Sequence, residues 1–196
     1  MELTNFALQN QIIMWRDLVG IITRLLVATP NAWKKIYREK VTLDEFLYRY
    51  LHPIFGLIAF TSFVGELMFT PGGNFESALK KIIIAVVAVY GAFFISSYIL
   101  NEMAEKFGLV KNMNMFKKFV GYSSVVIYLL YLIVPFFSNF IIIWLLGFYT
   151  VHLINIGAEL YLKVDKSNKS NFSIISSAVI LITPTAINLL FSILIK

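Results

Sequence analysis

The chain contains no cysteine, so disulfides, thiolate metal sites and cysteine nucleophiles are excluded. Charge is also scarce: 14% of the 196 residues are Asp, Glu, Lys or Arg, against about a quarter in a soluble domain. Only two histidines occur, and neither has a second ligand at metal spacing, so no metal or other cofactor is expected. A glycine-rich phosphate loop, a serine elbow and a deep carboxylate pair are missing too, which argues against an enzyme. Met1-Glu2-Leu3-Thr4-Asn5 lacks the cationic start and small-residue cleavage site of a signal peptide. The first spanning helix is therefore expected to do the targeting.

Apolar residues fill the space that charge leaves. They make up 59% of the chain, with a mean hydropathy of +0.77, and a chain this short cannot hide such a surplus in a water-soluble core. Blocks of about 20 apolar residues match a hydrocarbon layer about 30 Å thick. The reading is all-α: an integral membrane bundle of five transmembrane helices preceded by amphipathic interfacial helices. The spans are expected at about 50–69, 82–100, 119–137, 140–158 and 172–195. Residues 119–158 hold no charged residue, yet as one helix they would run about 60 Å, twice the membrane core. Pro135-Phe136-Phe137-Ser138-Asn139 is the expected break, because proline removes a helical donor and Ser and Asn favour turns.

Five spans place the basic residues unevenly. Fourteen of the 17 fall in residues 1–49, 101–118 and 159–171; Lys80, Lys81 and Lys196 fall on the other side. The positive-inside rule then puts the N-terminus in the cytoplasm and the C-terminus outside. The basic balance points to anionic lipid of the inner leaflet, not nucleic acid. Richness in Ile, Lys and Asn leans towards a bacterial cytoplasmic (inner) membrane.

Residues 1–49 are too few to bury a core of their own and form a cytoplasmic, interfacial segment ahead of the transmembrane domain, 50–196. Over 11–29 the polar or small positions Arg16, Asp17, Gly20, Thr23 and Arg24 track one helical face. This predicts an in-plane helix with Trp15, Arg16 and Arg24 at headgroup depth. Pro30 opens a short basic helix carrying Trp33, Lys34 and Lys35, and Thr42 caps another. Tyr48, Arg49, Tyr50 and His52 make an interfacial belt before Pro53.

Charged groups in hydrocarbon are costly, so each is a candidate site. Glu66, near the outer end of the first span, could take a proton or a cation, or simply reach the headgroups. His152, Asn155 and Glu159 share one face of the fourth span. They line a polar track to the cytoplasm, or else make interhelical hydrogen bonds worth about 1 kcal/mol each. Ala88, Ala92 and Ser96 give the second span a small-residue stripe for close packing or a dimer face. Pro184 frees the carbonyl of Ile180, and Thr183 and Thr185 are placed to help satisfy the backbone. Tyr122, Ser123, Ser124, Tyr128 and Tyr131 need partners and should face other helices.

Three stretches resemble the Yip family of five-span membrane proteins, and more closely its bacterial branch. They are Thr29-Pro30-Asn31-Ala32-Trp33-Lys34-Lys35-Ile36, then Tyr50-Leu51-His52-Pro53, then Phe107-Gly108, Phe116 and Gly121-Tyr122-Ser123. Val126 departs from the pattern, since family members often carry a proline shortly after Gly-Tyr. The resemblance implies the five-span fold and topology and, by analogy, partners engaged at the cytoplasmic face. The in-plane helix and the basic cluster point to a non-enzymatic role, organising membrane or scaffolding a partner at that face, with homo-oligomerisation also open. The rival reading is a small transporter, channel or lipid-translocating protein using Glu66 or the His152 face.

Overall fold

A computed structural model describes the backbone of residues 2–137 and 146–195, with side chains from residue 14 onward in those segments. All regular structure among the described residues is helical. α1 covers Glu2–Val27 and α2 Thr29–Glu39; a short α3, Leu43–Phe46, passes through a π-helical turn, Leu47–Leu51, into α4, His52–Phe69. α5 runs Phe75–Met103 and tightens to a 3-10 turn at Ala104–Phe107. α6 is Met113–Ser123 and α7 Val125–Ile133, followed by a 3-10 turn at Val134–Phe136. α8 is Tyr149–Leu160 and α9 Lys166–Leu194.

Three stretches are long and apolar enough to cross a membrane: Leu43–Phe69, Phe75–Phe107 and Lys166–Leu194. α6 and α7, bent by 46° at a break, make a fourth if they form one broken span. The expected break at Pro135 coincides with the 3-10 turn, but the third span has an earlier interruption at Ser124 (φ −82°, ψ 5°). Ser138 and Asn139 of the expected break, and residues 140–145 of the expected fourth span, lie outside the described residues. The described helix of that span, α8, is 12 residues, or about 18 Å.

Local chemistry sets several boundaries. Thr42 accepts the Glu45 amide at 3.2 Å, with Asp44 and Glu45 in the first turn where the helix dipole favours them. Asn74 and Ser77 close a reciprocal capping box at the start of α5, each bond 2.9 Å. Removing that cap with Asn74→Ala should cost about 1 kcal/mol, read as a lowered thermal midpoint of the reconstituted chain; an unchanged midpoint would show that α5 starts without it. Pro30 sits in a first turn, where its missing N–H costs nothing, and Pro53 directly follows the π-helical turn within the continuous stretch Leu43–Phe69. Pro184 lies inside α9, which continues through it. Thr183 donates to the Val179 carbonyl at 2.6 Å and Thr185 to Leu181 at 3.2 Å.

In lipid there is little hydrophobic force between helices, so close packing holds the bundle. α5 is its centre, packed chiefly on α4 and α9. Its small residues Ala85, Ala88, Ala92 and Ser96 are all buried, so the small-residue stripe serves internal packing. At Gly91 an added Cβ would lie 3.0 Å from Ile187 Cδ1, so glycine lets α5 and α9 approach. Tyr122, Ser123, Ser124, Tyr128 and Tyr131 are buried against other helices, as expected, but the Ser123 hydroxyl finds no hydrogen-bond partner among the described residues.

The two ends of the bundle differ. At one end an aromatic chain ties together segments remote in sequence. Phe107 meets Phe172 at 5.2 Å, Phe172 meets Phe119 at 6.0 Å, and Phe119 meets Trp33 at 5.7 Å. Trp33 continues to Tyr161 at 5.5 Å, which meets Tyr37 at 6.4 Å. At the other end the C-terminal parts of α4 and α9 meet the start of α5 and the turn at Pro135.

Candidate functional site

Two features emerge, one at each end. The first is a cationic surface on α1 and α2. α2 presents Thr29, Ala32, Trp33 and Ile36 to the core. Trp33 is fully buried and donates its indole N–H to the Leu153 carbonyl at 3.0 Å. Thr29 lies 3.2 Å from the Tyr149 hydroxyl, which donates to Leu26 at 2.8 Å. α2 is thus laid lengthwise along α8 and is not held by lipid alone. α1 is fixed similarly, with Leu18 and Leu25 buried and Ile21 and Ile22 packed on the core.

The cations point outward, alongside the exposed Val19, Val27 and Tyr37. Arg16, Arg24, Lys34, Lys35, Arg38 and Lys40 are exposed, as is Trp15 at 37%. Lys35 bonds Glu39 at 3.3 Å, an exposed pair of small worth. Lys163 sits 4.7 Å from the centre of the Tyr37 ring. Lys111 pairs with Glu102 at 2.7 Å, and that hydrogen bond raises its ammonium above the ordinary lysine value. Burial pushes the Tyr161 phenol beneath this surface up to about 12. In the expected belt, Tyr48, Arg49 and His52 are exposed, but Tyr50 is buried among Phe46 and Tyr122 at 5.5 and 4.7 Å. Gly121 explains the Gly-Tyr pair: the Phe46 ring occupies the place of its missing side chain, and Tyr122 then packs edge-on to Phe46 at 4.9 Å.

The second feature is a cavity of about 480 Å³ between α4, α5, the Pro135 turn and α9. Glu66 lines it and accepts the Thr70 hydroxyl at 3.2 Å. Lys81, Asn188, Ser192, Thr185, Ser62 and Tyr131 supply further polar groups, against walls that include Phe69, Ile84, Val134 and Leu189. Tyr131 also donates to the Pro184 carbonyl at 3.4 Å.

His152, Asn155 and Glu159 line neither this cavity nor the small one beside Ser96 and Tyr128. His152 is exposed and packs on the Tyr149 ring at 5.2 Å, Asn155 is half-buried, and Glu159 pairs with Lys169. No group of three metal-ligating side chains exists among the described residues.

Sequence reasoning singled out Glu66 but missed what surrounds it. In the sequence Lys81 reads only as a topology signal, and Asn188 and Ser192 are polar residues in an otherwise apolar span. Their spacing of four on the last helix was the available signal. No family model, curated protein or solved structure matches this chain.

Proposed function

We propose that this is a non-enzymatic integral membrane protein of the Yip-domain type that organises membrane or scaffolds a partner at its cationic end. Five spans, an N-terminus in the cytoplasm, a C-terminus outside and residence in a bacterial inner membrane belong to the same proposal. One observation carries it: Trp33 locks α2 into the core, so that Lys34, Lys35 and Arg38 face outward on a rigid base. Anionic lipid is the first partner for such a surface, with Trp15, Arg16 and Arg24 extending it along α1. A cation near an anionic surface contributes about 1 kcal/mol, so each removal weakens binding about fivefold.

The test uses the full chain in nanodiscs of mixed zwitterionic and anionic lipid. Replacing Lys34, Lys35, Arg38 and Lys40 with glutamine should cut retained anionic lipid at least tenfold; equal retention would refute the cationic-surface reading. Tags at both ends, labelled from one side only, test the odd number of spans.

The rival reading, a small transporter, channel or lipid-translocating protein, draws on the cavity at Glu66. His152, exposed and away from both cavities, lends it nothing.

A further inference from the structure

The geometry points to a binding site, in the cavity between α4, α5 and α9, for a phospholipid with a primary-ammonium headgroup: Glu66 takes the ammonium and Lys81 the phosphate. Both side chains line the cavity, yet the Lys81 ammonium is not within 4.0 Å of the Glu66 carboxylate. Neither has an ion-pair partner among the described residues. The Glu66 carboxylate accepts only the neutral Thr70 hydroxyl there. The neighbouring Lys80 is drawn to Glu76 at 2.8 Å, which leaves Lys81 to the cavity.

A carboxylate and an ammonium that share a chamber without neutralising each other complement a ligand carrying the reverse pair. A purely anionic ligand would leave Glu66 opposed, and a purely cationic one would leave Lys81 opposed. Phe69 and Leu189 offer apolar surface that suits an acyl chain better than a fully solvated zwitterion. Asn188 and Ser192 add hydrogen-bonding groups from the facing helix. The volume of about 480 Å³ lies within the usual range for small-ligand sites, about 300–1,000 Å³. The site lies at the opposite end of the bundle from Trp33 and owes nothing to the cationic surface.

The experiment titrates the full-length chain in non-ionic detergent with short-chain phosphatidylethanolamine, phosphatidylcholine, phosphatidylglycerol and free phosphoethanolamine, counting bound molecules by native mass spectrometry. One equivalent of phosphatidylethanolamine should bind. Phosphatidylcholine should bind at least tenfold more weakly, because its quaternary ammonium donates no hydrogen bond to Glu66. Glu66→Gln and Lys81→Gln should each weaken binding at least tenfold, and Asn188→Leu serves if either does not fold. Equal binding of the three lipids, or unchanged binding in folded variants, overturns the proposal. Free phosphoethanolamine binding as tightly as the lipid would also overturn it, since the apolar walls would then contribute nothing.

Discussion

Truncating Trp33 to alanine should destabilise the folded chain by about 3–5 kcal/mol, the usual cost of emptying a large buried aromatic site. The indole is fully buried and touches the rings of Phe119, Tyr122 and Tyr161 at 5.7, 6.2 and 5.5 Å. It also supplies a hydrogen bond to Leu153 that no aliphatic residue can replace. Trp33→Phe keeps much of the packing and loses the N–H, so its cost should be far smaller, with about 1 kcal/mol from the hydrogen bond. Chemical denaturation in detergent gives both numbers. Trypsin adds an independent readout: once α2 is released, cleavage after Lys34 and Lys35 should accelerate in the alanine variant. A loss below about 1 kcal/mol for Trp33→Ala would mean that α2 is not anchored by this ring.

Gly65→Ala is the second large effect. A methyl group there would stand 2.7 Å from the carbonyl oxygen of Pro135 and 2.9 Å from its carbonyl carbon. These are backbone atoms, so no side-chain rotation relieves the clash, and α4 must separate from the Pro135 turn. Overpacking of this kind costs about 1–3 kcal/mol or more. The Phe69–Phe136 contact at 5.2 Å would loosen with it. Gly56 on the same helix provides the control, because nothing lies within 4 Å of its added Cβ. Gly56→Ala should be neutral or stabilise by about 0.5–1 kcal/mol, the gain expected inside a helix. Thermal unfolding of the pair decides the matter; equal midpoints would contradict the close approach at Gly65.

The long helices were legible in the sequence because length and hydropathy suffice for them: α4, α5 and α9 fall where the apolar blocks predict. Ser124 was not, since Ser in an apolar run does not announce a helix break as Pro135 does. Nor was the role of α2. Periodicity shows that Trp33 and Ile36 share an apolar face, but not whether lipid or protein covers it. Here α8 covers it, through a glycine: at Gly157 an added Cβ would stand 2.6 Å from the Trp33 ring. Glu66 was legible as a costly charge, whereas its cavity is assembled from four separate segments and exists only after packing.

Biosynthesis meets a delay because of where Trp33 is anchored. Leu153, which accepts its indole proton, is made 120 residues later. At about 5–20 residues per second, roughly 6–24 s pass before the acceptor leaves the ribosome. During that interval the apolar flank of α2 must rest on the membrane or on a chaperone. A nascent chain halted before α8 should therefore expose this helix to protease, and release of the arrest should close it off.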